Sequence, residues 1–192
     1  DRGYVSERLQ AALDSGGHLS MEHRVILQDG RQRIVHQLAE VSCDPQGRPE
    51  RLVGAVQDIT ERRQSEEHMR LLARVFENTV EGILVTDAQG VILMVNPAFT
   101  SITGYEESEA TGRTPAFLSS GRHSQEFYGK MWASLAEKGH WQGEIWNRRK
   151  NREAFPEWLT ITALSDHQGR TTHYVGVFHD ITEVKRSEAR IT

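Results

Sequence analysis

Apolar and polar positions alternate over residues 22–28, 33–42 and 51–57, and again over 143–149, 154–164 and 172–179. A period of two predicts half-buried β-strands. The strands are punctuated by turn formers such as Asp29-Gly30 and Asp44-Pro45-Gln46-Gly47, so each set of three reads as an antiparallel meander. Before each meander the period lengthens. Leu9 and Leu13, like Met131 and Leu135, stand four apart, which predicts helices over 1–14 and 124–137, ended by Gly16-Gly17 and by Gly139. Between the two sets, residues 82–87 and 91–95 predict a hairpin across Ala88-Gln89-Gly90, followed by short helices over 97–103 and 108–111.

The two sets are copies. Val53-Gly54 and Asp58-Ile59-Thr60-Glu61 return as Val175-Gly176 and Asp180-Ile181-Thr182-Glu183, 122 residues on. At the same offset Glu22 meets Glu144, His18 meets His140, and Asp44, Gln46, Gly47 and Arg48 meet Asp166, Gln168, Gly169 and Arg170. A register held without gaps over some sixty positions is an internal repeat. The second copy has the order two strands, helices, three strands. That predicts an α+β unit in which hairpin and meander close one five-stranded antiparallel sheet, with helices on one face and room for a small-molecule cavity. The expected organisation is the later part of a first unit (1–60), a linker helix (61–76), a complete second unit (77–183) and the start of an exit helix (184–192). Met69, Leu72 and Phe76, spaced three then four, read as a short seam through which the linker helix could pair in a homodimer.

Composition narrows the class. A net charge of −4 with 26% charged residues gives no basic excess for nucleic acid or an anionic membrane surface. One cysteine, Cys43, leaves neither an intramolecular disulfide nor a multi-cysteine metal site, and a cytoplasmic setting is the natural reading. No apolar run is long enough to span a bilayer. Nucleophile-elbow, phosphate-loop and zinc-protease motifs are all missing from the sequence, so no catalytic residues and no metal ligands are assigned. With no initiator Met at Asp1, the chain reads as a piece of a longer protein.

The runs Asn96-Pro97-Ala98-Phe99, Thr103-Gly104-Tyr105-Glu106 and Gly112-Arg113-Thr114-Pro115 resemble the front of a PAS domain, and the stretch from Val175 to Glu183 resembles its last strand and exit. The resemblance implies a sensory module that passes a conformational change to an output domain. Within it, Phe127 to Trp132, the run Gly139-His140-Trp141-Gln142-Gly143-Glu144 and Asn147-Arg148-Arg149-Lys150 are similar to the flavin-binding, NifL-like subfamily. Carried over by position, Trp132 and Asn147 would contact FAD and Trp141 would shape the strand beside it. A tryptophan offers a flat apolar wall, and an Asn amide offers a donor and an acceptor to a polar ring edge. The first copy has Gln10, Leu19 and Val25 at those positions, so only the second unit is expected to bind. Where the subfamily carries an acidic residue after its Gly-x-Asn, this chain has Thr114-Pro115. The photochemical cysteine of light-sensing relatives is replaced within Thr114-Pro115-Ala116-Phe117-Leu118.

Asp58 and Thr60, with Asp180 and Thr182, are expected to cap the outgoing helices and couple sensing to output. Asn96 reads as a turn or N-cap residue. Arg148, Arg149, Lys150 and Arg152 read as a solvated loop. His123, His140 and His173 are the candidates for a haem-based gas sensor, which stands behind two other readings. The first is an FAD-based redox module that controls a cyclic-di-GMP enzyme or histidine kinase beyond this chain. The second is a cofactor-free or metabolite-binding dimerisation module.

Overall fold

In the computed structural model, residues 1–15 and 17–191 are described, the side chain of Ile191 excepted. They form two compact units, Asp1–Leu72 and Ala73–Thr192. Gly16, expected to help end the first helix, lies outside the described residues.

In the first unit, helix α1 (Arg2–Ser15) is followed by strands β1 (His18–Ile26), β2 (Gln32–Cys43) and β3 (Pro49–Asp58), which form a three-stranded antiparallel sheet in that order. Val5, Leu9, Ala12 and Leu13 of α1 pack on Leu19, Met21, Ala39 and Val41. Every residue of β3 is exposed. Helix α2 (Thr60–Asn78) begins at the end of β3, and the boundary between the units falls within it.

In the second unit, β4 (Gly82–Asp87) and β5 (Ile92–Val95) form the hairpin. Next come α3 (Pro97–Thr103), α4 (Glu107–Ala110), a 3-10 turn (Pro115–Leu118) and α5 (Gln125–Lys138). The meander β6 (His140–Arg148), β7 (Ala154–Ser165) and β8 (Thr171–Asp180) leads into α6 (Thr182–Ile191). The sheet order is β5-β4-β8-β7-β6, all pairs antiparallel. This is the expected α+β class: the first and last segments meet in mid-sheet, where β4 pairs with β8 from Gly82–Phe178 to Asp87–His173. Phe99 packs edge-on to Phe178 at 5.9 Å, and both are fully buried with Ile92 and Phe155 in the core.

All three strands of the second meander begin and end 122 residues after their counterparts, and Glu157–Asp180 repeats the cross-strand pair Val35–Asp58. The turns repeat in detail. Asp44 Oδ1 accepts the N–H groups of Gln46 and Arg48, and Asp166 Oδ1 those of Gln168 and Arg170. Gly47 (φ 77°) and Gly169 (φ 76°) supply the left-handed residue of each turn. Both strands β1 and β6 start earlier than their alternation predicted. They open at His18 and His140, because Leu19 and Trp141 extend the inward-facing rows.

Candidate functional site

Between the sheet and the helices of the second unit lies a cavity of about 430 Å³. That volume falls within the usual range for small-molecule sites. Most of its wall is apolar: Leu84, Ile145, Leu159, Ile161 and Phe178 from the sheet, Leu118 from the 3-10 turn, and Tyr128, Met131 and Trp132 from α5. Gly176, in mid-sheet, lines it without a side chain. A Cβ there would sit 3.2 Å from Leu84 Cγ, so glycine keeps the floor low.

The polar part of the wall is small and specific. Neighbouring strand positions alternate between faces, so Trp141, Gly143, Ile145 and Asn147 share the helix-facing side of β6. Asn147 is 8% exposed and donates its Nδ2–H to Glu157 Oε1 at 2.9 Å. Glu157, on β7, is only 2% exposed, and its Oε2 has no hydrogen-bond partner among the described residues. Both side chains line the cavity. Burial pushes the Glu157 carboxyl up to about 8; the Asn147 bond opposes this, Asp180 adds to it, and Arg149 opposes it. Near neutrality Glu157 is therefore an acid that can donate from Oε2, while Asn147 keeps its Oδ1 as an acceptor.

Trp132 does line the cavity, but at the rim. Its ring is 47% exposed and meets Tyr174 edge-on at 5.5 Å. Trp141 does not line it. Its ring folds across Gly143, where a Cβ would lie 2.9 Å from Trp141 Cζ2, and it meets Phe127 edge-on. Packing against α5 from behind replaces the expected cofactor contact of Trp141. His123, His140 and His173 also stand outside the lining. His123 Nε2 accepts the Trp146 N–H at 2.8 Å and its ring stacks on Phe127.

Thr114, Pro115, Ala116 and Leu118 form the wall at the position of the missing photochemical cysteine, and Cys43 is exposed at the end of β2. Asn96 caps α3, accepting the Phe99 N–H at 3.0 Å, and ties it to β4 through the Ile83 N–H at 2.8 Å.

The basic hairpin is not a solvated loop. The Arg149 guanidinium lies 4.0 Å above the Phe155 ring and donates to the Ile102 carbonyl and to Asp180. Arg148 donates to the Ser120 carbonyl at 2.7 Å, and Lys150 pairs with Glu109 at 2.7 Å.

At the exit, Asp180 Oδ1 accepts the N–H of Thr182 at 2.8 Å and also its hydroxyl. The bond reaches the first helical residue, two positions on, so it is an Asx turn rather than an N-cap of the usual geometry. Asp58 does the same for Thr60 at 2.9 Å. The hydroxyls differ for a local reason. Thr60 Oγ1 accepts the Ile34 N–H at 2.9 Å, but the matching residue is Pro156, which has none, and Thr182 turns to Asp180. Partial burial raises Asp180, yet Thr182 and Arg149 outweigh it and hold the carboxyl below its ordinary range.

A sheet-and-helix cup with a cavity, whose last strand leads straight into an outgoing helix, defines a sensory module. Residues 80–183 match the PAS domain family, and residues 1–56 match the PAS fold. The chain belongs to the PAS domain family and is sensory rather than catalytic in character. It is 29% identical to the nitrogen fixation regulatory protein of Klebsiella oxytoca, over 74% of this chain and 27% of that protein. It is also 23% identical to the sensor protein FixL of Bradyrhizobium diazoefficiens, over 100% of this chain and 39% of that protein. The chain thus spans well under half of either relative. Among solved structures, an RNA-binding light-oxygen-voltage receptor (TM-score 0.59, 16% identity, 100% of this chain and 86% of that chain) shares the fold. So does a PAS domain from Colwellia psychrerythraea (TM-score 0.57, 22% identity, 60% of this chain and 98% of that chain).

No helix among the described residues is long and apolar enough to cross a membrane.

Proposed function

We propose that the second unit is a redox sensor that holds FAD by its ring system in the cavity and reports to a downstream output domain, a cyclic-di-GMP enzyme or a histidine kinase. The observation that carries this reading is the Asn147–Glu157 pair. An apolar cavity has one buried polar corner, and within it one carboxyl oxygen is left without a protein partner. A buried polar atom of that kind calls for a ligand or water to complete it. The residues fit a flavin: the protonated Glu157 donates, Asn147 accepts, and the two together match a heterocyclic edge that alternates carbonyl and N–H groups. The NifL-like resemblance of residues 127–150 points the same way.

A bound flavin supplies reversible redox chemistry in which reduction adds a proton and alters the hydrogen-bonding character of the ring. The protein's part is orientation and transmission. Asn147 and Glu157 hold the polar edge, while Gly176 and Leu159 form the floor. Glu157 stands across from Asp180 in the β7–β8 register. A change in what Glu157 donates to or carries is therefore felt beside the carboxylate that fixes the start of α6. Arg149, which faces both groups, limits how far the two acids repel one another. The output is proposed to be cytoplasmic, and the module to act as a homodimer through its PAS units and α2. Met69, Leu71, Leu72 and Val75 are exposed along that helix, which supports the pairing.

The test is to refold the chain with excess FAD, remove free ligand and record the visible spectrum. Retained flavin bands that bleach on reduction and return in air are expected, and Asn147→Val should lower flavin per chain severalfold, as losing one buried polar contact does. A colourless wild-type protein would overturn the reading. A Soret band in protein supplied with haem would redirect it, and a co-purifying colourless metabolite would favour a metabolite-binding module.

A further inference from the structure

The two exits share an ion pair that neither the cavity nor the Asp-Ile-Thr turn explains. On α6, Lys185 Nζ reaches Glu144 Oε2 on β6 at 2.8 Å. On α2, Arg63 pairs with Glu22 on β1. These are the same two positions in the repeat, filled by different cations. In each unit the helix leaves the third strand of the meander, and its fourth residue reaches a carboxylate on the first. Two strand spacings, roughly 10 Å, separate those strands.

We propose that the Glu144–Lys185 pair is the second anchor of the exit helix. It sets the direction in which α6 leaves the sheet, and Glu22–Arg63 does the same for α2. The turn at Asp180 is a single point of attachment. It fixes where the helix starts, with Ile181 buried as a plug and its carbonyl accepting the Lys185 N–H at 3.0 Å. One attachment point leaves a short helix free to swivel about it. A second contact two strands away removes that freedom.

The carboxylate is itself oriented, because Trp146 Nε1 donates to Glu144 Oε1 at 3.1 Å and leaves Oε2 for the lysine. Strand alternation places Glu144 on the face opposite Ile145 and Asn147, which line the cavity. The same strand therefore forms a wall of the cavity on one side and holds the outgoing helix on the other. Glu144 and Lys185 are positioning residues in this scheme and touch no ligand.

An isolated surface ion pair contributes little, but its recurrence at a fixed offset with Lys in one copy and Arg in the other marks the contact rather than the residue type. The test needs no cavity ligand. Amide exchange by NMR would follow residues 185–188 of α6, with the β7 and β8 amides as the internal reference for folding. Glu144→Gln and Lys185→Met should each speed exchange in α6 about two- to fivefold, the size an exposed pair can support, and leave the sheet unchanged. The double variant should be no faster than either single, which is the mark of one shared contact. Lys185→Arg, which copies the cation of the first exit, should stay at the wild-type rate. Unchanged exchange in the single variants, additive effects in the double, or a fast Lys185→Arg would each overturn the proposal.

Discussion

The two units share three strands, their register, their turns and their exit, and they differ in what stands behind the sheet. At the position of Glu157 the first unit has Val35, at that of Asn147 it has Val25, and at that of Trp132 it has Gln10. At the position of Phe178, 1% exposed under the helices, it has Val56, 62% exposed. The hollow of the first unit, about 460 Å³, is lined chiefly by charged side chains. Yet Asp58, Ile59, Thr60 and Arg63 make the same contacts as Asp180, Ile181, Thr182 and Lys185, apart from the threonine hydroxyl. The exit is thus a separable device. It persists where the polar corner is absent, so its residues answer to the geometry of strand and helix and not to a ligand.

The sharpest way to break that comparison is to truncate the same repeat position in both units. Phe178→Ala removes a fully buried ring and should cost about 3–5 kcal/mol. Val56→Ala, on an exposed strand, should stay within about 0.5 kcal/mol. All four tryptophans, at 132, 141, 146 and 158, lie in the second unit. Urea unfolding followed by tryptophan fluorescence therefore reports that unit, and circular dichroism reports both. Equal losses at the two positions would show that the outward appearance of β3 misrepresents its packing in solution.

The next effect depends on pH. Glu157 titrates at about 8 in the folded chain against its ordinary 4.5. The stability tied to its protonated form is full below about pH 4.5 and is lost as pH rises through 8. The expected loss across that window is on the order of a few kcal/mol. Glu157→Gln keeps the acceptor for Asn147 and removes the titration. Its unfolding midpoint should vary much less between pH 5.5 and 8.5 than that of the wild type. Parallel profiles would mean that Glu157 is hydrated when the cavity holds no ligand.

The two buried charges that matter most were the least legible in the sequence. Strands, turns and the α+β class follow from alternation, from Asp-x-x-Gly runs and above all from the repeat, because two copies test one another. Glu157 sits in Phe155-Pro156-Glu157-Trp158-Leu159, where period-two reading registers an acid but not which face it takes. Its helix-facing position follows only from the β6–β7 register, which sets Asn147 opposite Phe155. A lone acid in an otherwise apolar strand was the signal available. Arg149 looked like a hairpin cation because its anion, Asp180, lies 31 residues on and meets it only when β6, β7 and β8 are assembled. Trp141 was misplaced by a cavity wall that is two layers deep at that point. The Gly143 gap that accepts its ring depends on side-chain packing rather than on spacing.

The smallest expected effect bears on the exits, where the units are most alike. Asp180 satisfies the first helical N–H of α6 and holds Arg149, and it lines no part of the cavity. Asp180→Ala should therefore cost about 0.5–2 kcal/mol, the value of a lost helix-start bond, nearer the lower figure because water screens a part-exposed carboxylate. Its pKa is depressed in the folded chain, so the stability it adds is present above the ordinary carboxylate range and fades as pH falls through its folded value. The gap between wild type and variant should close on acidification. Asp58→Ala should act in the same direction, seen in circular dichroism and not in tryptophan fluorescence. Flavin content after refolding with FAD should be unchanged by Asp180→Ala, whereas in a longer protein carrying an output domain the same change should hold output in one state whatever the redox condition. Lost flavin with intact signalling would place Asp180 with the cavity instead, and the separation of binding from exit drawn from the two units would fail at the residue they share most plainly.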